Sequence, residues 1–488
     1  MDAGARERAV VEQVPKGLLV GGEEREAAGG RRFAVDDPAT ARALCEVADG
    51  GPADAVAALD AAAGAQEAWG RTPPRERSDV LLRGWQLLAE REEDLALLMT
   101  LEMGKPLAES RAEVAYAGRF LRWFSEEAVR IDGGYAVAPE GWGRIVTMRQ
   151  PVGPCLLVTP WNFPLAMAAR KVAPAVAAGC TMVAKPAEQT PLSTLALAGL
   201  LAEAGLPPGV LNVVTTSSPA EVVAPLLADR RLRKLSFTGS TETGRLLMAQ
   251  AAPGLLRLSF ELGGNAAFLV FDDADLDAAV DAAVLAKMRN TGEACTAANR
   301  FLAGAAVAEG FAARLAERMG ALKVGRGTDE GVQVGPLIDA DQGAKVAGLV
   351  DEAVAAGARV LVGGSRVEGP GWFYRPTVLA DVPPASRVLR EEIFGPVAPV
   401  GRFATEDEAV AAANDTPLGL VSYVFTRDLD RAVRVAERLE TGMVGVNLGL
   451  VSDPAAPFGG VKQSGFGREG GREGILEFLS TKYVGLRA

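Results

Sequence analysis

No histidine occurs anywhere in the 488 residues of the sequence. That absence removes several reaction classes at once. A Ser-His-Asp triad and a Cys-His dyad cannot be built, nor can a histidine-ligated zinc or iron site. Acid–base work near neutral pH falls to Glu, Asp, Lys, Tyr, Cys or water. Cysteine is scarce too: Cys45, Cys155, Cys180 and Cys295 are the only four. They show no paired spacing, which argues against a thiolate metal cage or a disulfide framework and suits a reducing cytoplasm. No metal is expected. Long apolar runs are missing as well, so no bilayer span is expected, and Met1 to Arg8 lack the apolar core of a secretory signal. Basic residues are outnumbered, 51 against 62 acidic, giving a net charge of −11. Nucleic acid is therefore not an expected partner, because phosphate binding needs a basic footprint. An anionic small molecule would have to be met by locally placed arginines.

What is present has an ordinary globular balance, 49% hydrophobic and 23% charged, in a chain long enough for roughly two to four domains. Residues 1–16 mix charges without a clear period and read as a frayed end. Lys16–Gly22 reads as a short strand and turn. Three helices are expected next, over 53–69, from Pro74 through Leu88, and from Pro106 to Glu127, where apolar residues recur at three- and four-residue spacing. Residues 131–150 alternate instead and read as a hairpin-like arm. From Pro151 to Leu258 strands at 155–158, 181–184, 211–214 and 235–237 alternate with helices. A second such series has strands at 267–271, 360–362, 397–400, 420–425 and 443–446. Alternation of this kind makes parallel βαβ units and an α/β, doubly wound architecture, which binds ligands beyond the carboxyl ends of its strands. After Asn447 the chain is irregular and Gly-rich, and it closes with a strand at 483–486.

Five features carry candidate chemistry. Cys295 follows Gly292-Glu293-Ala294 in a loop of small and polar residues, as a nucleophile would, although most free cysteines are inert core residues. Glu261 ends an apolar strand and precedes two glycines; desolvation there raises a carboxyl pKa and suits a general base, the alternative being an ordinary ion-paired Glu. Asn162 lies just before Pro164 at a helix start, placed either to stabilise an oxyanion or simply to cap the helix. The turn Thr238–Gly244 joins a strand to a helix and can receive a phosphate, but it is neither a GxGxxG nor a Walker loop. Lys185 and Glu188, directly after a strand, can reach ribose hydroxyls or can merely pair with each other.

Taken together, Thr159-Pro160-Trp161-Asn162-Phe163-Pro164, Lys185-Pro186-Ala187-Glu188-Gln189-Thr190-Pro191, Phe237-Thr238-Gly239-Ser240-Thr241, Glu261-Leu262-Gly263-Gly264, Gly292-Glu293-Ala294-Cys295, Glu391-Glu392-Ile393-Phe394-Gly395-Pro396 and Pro457-Phe458-Gly459-Gly460 occur in the order of the motifs of the aldehyde dehydrogenase superfamily. The chain closely resembles that superfamily from about Asp36 to its end. The resemblance implies a Rossmann-like cofactor domain over 10–130 and 148–258, an α/β catalytic domain over 259–447, and a small β arm for oligomerisation over 131–147 and 472–488, in a homodimer or homotetramer. It also implies that Cys295 attacks an aldehyde carbon, that Asn162 and the Cys295 N–H hold the oxyanion, and that Glu261 activates water to hydrolyse the resulting thioester. Hydride goes to NAD, with NADP as the alternative. The positions that resemblance gives to this cofactor are Thr159, Pro160, Trp161, Lys185, Pro186, Ala187, Glu188, Gly239, Ser240, Leu262, Glu392 and Phe394.

Within the superfamily the chain is most similar to succinate-semialdehyde dehydrogenases, through Asn265, Phe268–Asp275, Val461–Gly465 and Gly467–Gly470. Their substrate carboxylate site matches Arg170, Arg289 and Ser452. Arg170 lies about 12 Å along a helix from Asn162, at ~1.5 Å per residue, and leans back toward it. Alternatives are a related semialdehyde or general aliphatic aldehyde as substrate, and an inactive binding or structural relative. Glu293 stands where the superfamily more often has Gln, and a carboxylate there is expected to discourage the Cys295 thiolate. Glu188, at the adenosine ribose, is expected to favour NAD over NADP by repelling a 2′-phosphate, with Lys185 opposing it.

Overall fold

The computed structural model describes residues 3–487. Its core is a pair of mostly parallel sheets. The first has eight strands in the spatial order Glu23–Arg25, Leu18–Val20, Leu211–Val213, Met182–Lys185, Cys155–Val158, Lys234–Thr238, Arg257–Glu261 and Gly465–Phe466. Its five inner strands are parallel, and antiparallel strands close both edges. Helices cover both faces, which is why these strands read as short, continuously apolar runs. On one face lies Pro164–Ala178, buried along its whole length and packed against Leu107–Ala128.

The second sheet has seven strands: Arg359–Val362, Thr377–Ala380, Val397–Phe403, Ala298–Gly304, Ala266–Val270, Val421–Phe425 and Met443–Val446. All its pairings are parallel except the first. Phe268, Phe301, Phe311, Tyr423 and Phe425 pack together in its core. A three-stranded antiparallel sheet of Gly134–Val137, Gly143–Pro151 and Leu479–Arg487 projects as an arm; Ala488, within the expected arm segment, lies outside the described residues.

The structure corrects the sequence reading in three places. Residues Ala3–Glu12 form a helix, not a frayed end: Val10 and Val11 are buried, and Glu7 pairs with Arg326 at 3.0 Å. Four helices, not three, lie between 52 and 128. The missed one, Glu92–Met103, is buried continuously from Leu95 onward, so it shows no polar face and no period to detect. The strands Ala298–Gly304 and Thr377–Ala380 and the hairpin Arg32–Asp37/Arg42–Ala48 were not expected. Ala298–Gly304 hides Asn299 and Arg300 in its interior, where main-chain carbonyls and Asn265 satisfy them.

Candidate active site

The first sheet sets up a ligand crevice by its topology. The chain enters at Cys155–Val158, moves to one side through Met182–Lys185 and Leu211–Val213, then crosses back to Lys234–Thr238 and Arg257–Glu261. Its direction reverses between Cys155–Val158 and Lys234–Thr238, the place where such sheets bind nucleotides beyond their strand ends. Thr159, Pro160 and Trp161 follow the first of these strands, and Gly239 and Ser240 follow the second. Ser240 caps the helix Thr241–Ala251, its Oγ accepting from Thr243 N at 3.2 Å, and that N-terminus suits a phosphate. Thr238 Oγ1 is buried without a partner. Lys185 ends the neighbouring strand, followed by buried Pro186 and Ala187. Its Nζ lies 3.3 Å from Glu188 Oε2; burial lowers the lysine pKa and Glu188 opposes that. Leu262 packs so tightly on the capped helix that a Cβ on Gly244 would come within 2.7 Å of it. Trp161 meets Phe394 edge to face, centroids 5.3 Å apart. These residues fit a dinucleotide: a helix N-terminus for the pyrophosphate, a Lys–Glu pair for ribose hydroxyls and two aromatic rings beside the strand end.

The nucleophile loop joins the helix Leu276–Met288 to the strand Ala298–Gly304. Asn290, Thr291 and Gly292 all have positive φ, 54°, 56° and 80°. Such strain persists only where the surroundings fix it, and for a β-branched Thr it is an outlier. Here Asn290 N donates to Glu109 Oε2 at 2.6 Å and Asn290 Nδ2 donates to Asn162 O at 2.9 Å. Gly292 must be glycine, since a Cβ would stand 2.3 Å from Gly395 O. After the loop, Tyr423 Oη donates to Thr296 O at 2.8 Å. Cys295 is half-buried between these anchors. Burial pushes its thiol up to about 12, with Glu392 and Glu261 adding to the rise and Arg170 and Arg289 opposing it.

The turn at Gly264 brings Glu261 and Cys295 together. A Cβ on Gly264 would lie 2.4 Å from Cys295 O, so the turn after Glu261 rests directly on the cysteine's main chain. Glu392 sits against the same turn, Oε1 accepting from Gly264 N at 2.9 Å. Glu261 is buried and its Oε2 has no partner. Burial, then the charge of Glu469, holds its pKa well above the usual carboxylate range, against Arg170, Lys171 and Arg468. Asn162 is buried, its Nδ2 donating to Glu293 O at 2.9 Å, while Lys105 Nζ holds Asn162 O at 2.8 Å. One amide hydrogen of Asn162 remains free, and among the described residues the Cys295 N–H has no acceptor.

The two arginines differ. Arg170 is buried, with Nε 2.6 Å from Glu469 Oε2 and its guanidinium over Phe458 at 4.1 Å. It was expected to meet a substrate carboxylate or else to pair with a structural acid; its charge is matched by an internal acid, because a buried cation in an apolar helix needs a partner. Among the described residues neither Nε nor Nη2 makes a hydrogen bond, so the Glu469 contact is an ion pair alone. Arg289 opens the nucleophile loop, half-buried, stacked over Phe163 at 4.5 Å. Among the described residues it makes no ion pair or hydrogen bond. Ser452 is half-buried in the irregular segment after Val446, and no described hydrogen bond ties it to the arginines.

Two members of this site carried no role in the sequence reading. Glu469 accepts from Lys171 Nζ at 2.5 Å as well as pairing with Arg170; burial would raise its pKa, but Lys171 and Arg170 outweigh this and lower it. The signal was two adjacent cations in an otherwise apolar helix, which implies an acid arriving from elsewhere. Glu293 also differs from expectation. Its side chain is buried facing Ile338 N, and the charges that act most on the Cys295 thiol are those of Arg170, Glu392, Glu261 and Arg289.

Comparison with known proteins places this geometry. The sequence profile of the aldehyde dehydrogenase family matches residues 25–484, so the chain belongs to that family. It is 59% identical over 443 residues to a succinate-semialdehyde dehydrogenase of Paenarthrobacter nicotinovorans, covering 91% of this chain and 98% of that one. It is 49% identical to a glutarate-semialdehyde dehydrogenase of Pseudomonas putida, covering 95% and 96%. A solved structure from E. coli, described as an NADP dependent enzyme, superposes with a TM-score of 0.96 at 47% identity, covering 97% and 98%. The expected α/β fold and family are thereby borne out.

Proposed function

We propose that the protein oxidises succinate semialdehyde to succinate with NAD(P) through a thioester on Cys295. The observation that carries this reading is the unpaired Arg289 guanidinium on the loop of the nucleophile. Aldehyde chemistry alone needs no cation there, but a substrate with a distal carboxylate does, and a guanidinium holds one bidentately. Its proton released to solvent, the Cys295 thiolate adds to the aldehyde carbon while the free Asn162 N–H and the Cys295 N–H hold the oxygen. A nicotinamide cofactor, when bound, would supply the hydride acceptor, and Glu392 and Phe394 are the residues that would hold that end of it. Glu261 then takes a proton from water, the hydroxide attacks the thioester carbonyl, and the Cys295 sulfur leaves. The elevated pKa of Glu261 equips it for this, since a stronger base draws the proton more readily near neutrality. Glutarate semialdehyde, one methylene longer, is the second reading, named for a relative of almost equal coverage.

The division into a cofactor domain (10–130 and 148–258), a catalytic domain (259–447) and an arm belongs to the same proposal, as does a homodimer or homotetramer. The arm supports it by exposing Tyr135, Val137, Trp142, Tyr483 and Leu486, an apolar surface that suits association. A cytoplasmic location rests on four unpaired cysteines; no described helix is long and apolar enough to cross a membrane.

The test compares succinate semialdehyde with butanal for wild type, Cys295→Ala and Arg289→Leu. Cys295→Ala should abolish both activities. Arg289→Leu should lower kcat/KM for the semialdehyde by about 1.5–3 kcal/mol, roughly tenfold or more, and spare butanal. Equal losses on both substrates would make Arg289 a structural residue.

A further inference from the structure

The Glu293 side chain has no part in the chemistry above, yet it is fully buried two residues from the nucleophile. Oε1 accepts one hydrogen bond, from Ile338 N at 3.1 Å, and Oε2 has no partner. The one cation that favours its ionisation, Lys105, is bonded instead to Glu113 at 2.5 Å. Two further acids border the region: Asp339, which caps the helix Ala340–Ala355, and Glu109, which holds Asn290 N. An ionised carboxylate with a single N–H donor and no cation is untenable in a dry interior, so the acid keeps its proton. Burial, reinforced by Asp339, accordingly holds the pKa well above the usual range, against the Ile338 N–H and Lys105.

Glu293 also stands at a junction. Its carbonyl oxygen accepts from Asn162 Nδ2 at 2.9 Å and from Asn290 Nδ2 at 3.0 Å. Its side chain leads the other way, to Ile338 and the start of the helix Ala340–Ala355. In the first turn of that helix Gln342 donates from Nε2 to Phe394 O at 2.5 Å and to Ile393 O at 3.2 Å. One residue therefore joins the oxyanion donor, the nucleophile loop and the loop that carries Phe394.

We propose that Glu293 is a positioning residue that works as a neutral carboxylic acid, its side chain pinning the Cys295 loop to the helix Ala340–Ala355 while its carbonyl oxygen aims the Asn162 amide. The position requires a neutral hydrogen-bond acceptor of this length, which glutamine also provides. At a pH high enough to ionise Glu293, charge enters the dry pocket, water follows, and the pin loosens. The role in catalysis rests on the aldehyde dehydrogenase reading of the site; the pinning itself does not.

Wild type, E293Q and E293A are compared in two assays. The first is the single-turnover burst of cofactor reduction with succinate semialdehyde, followed from neutral to strongly alkaline pH, with cofactor affinity measured by fluorescence. The second is the rate of Cys295 alkylation by iodoacetamide at neutral pH, which needs no substrate. E293A should slow the burst by about tenfold or more, as a small misplacement of reacting groups does, and should alkylate faster than wild type with cofactor affinity kept. E293Q should restore both rates and lack the alkaline loss of burst rate seen in wild type. Coincident alkaline limbs for wild type and E293Q, or wild-type rates in E293A, would overturn the proposal. If E293A does not fold, the wild-type and E293Q limbs decide alone. If no burst occurs even in wild type, the proposed substrate is wrong, and the alkylation order still decides the role of Glu293.

Discussion

The cofactor preference can be worked from one ion pair. Glu188 Oε2 lies 3.3 Å from Lys185 Nζ beside the candidate ribose site. In this arrangement the carboxylate can accept from a ribose hydroxyl, while its charge offsets the lysine. A 2′-phosphate there would confront the carboxylate at ~4 Å, where like unit charges repel by about 4 kcal/mol at an effective dielectric of about 20. Glu188 is 41% exposed at its side chain, so it can swing into solvent, and solvent screens what remains. A discounted preference of about 1–2 kcal/mol, roughly five- to thirtyfold in favour of NAD, is what survives. Glu188→Ser removes the repulsion and frees the buried ammonium of Lys185 for the phosphate. The assay is the ratio of kcat/KM for NAD and NADP at saturating succinate semialdehyde. Wild type should favour NAD, and Glu188→Ser should move the ratio toward NADP by about the same factor. A wild type that prefers NADP, or a ratio that does not move, would refute the reasoning.

Three further outcomes are expected. Glu261→Gln should still acylate, giving one burst of reduced cofactor and then a slow steady state, with the thioester visible by mass spectrometry; no burst would assign Glu261 an earlier step. Glu469→Gln should shift the acid limb of kcat to lower pH, because the Glu469 charge raises the Glu261 pKa while Arg170 and Lys171, then unmatched, lower it; a limb that stays put or moves up would break the coupling. Lys287 is fully buried without a hydrogen-bond partner, and burial lowers its pKa to about 7, with Glu392 opposing. Since the unfolded chain binds that proton more readily, the wild type gains stability as pH rises from about 7 to the ordinary lysine range. Lys287→Met should therefore raise Tm most at pH below 7, by a stabilisation of about 1–3 kcal/mol, with the gain shrinking in alkali; a gain independent of pH would contradict this.

Much of the architecture was legible because parallel strands covered on both faces show themselves as apolar runs between helices. Cys295, Glu261 and Asn162 stood out for the same kind of reason: a polar group at the end of an apolar strand or helix asks for an explanation. The helix Glu92–Met103 stayed hidden because burial from Leu95 onward removes the polar half of the pattern, and the strand Ala298–Gly304 because Asn299 and Arg300 are polar yet buried. Long-range pairing was also invisible. Nothing local says that Arg170 and Lys171 meet Glu469, some three hundred positions away, or that Glu293 faces Ile338 and sheds its charge.

The outermost strand of the first sheet has a bearing on how the protein is made. Glu261 is paired across the sheet with Gly465, and Ser464 O receives the N–H of Leu262. Glu469, whose charge adds to the effect of burial in raising the Glu261 pKa, follows four residues later. A growing chain can fold much of both sheets from its N-terminal side, yet it exposes that edge until the strand Gly465–Phe466 has been synthesised. A product ending between residues 296 and 464 would therefore contain Cys295 and Glu261 but lack the strand that pairs with Glu261.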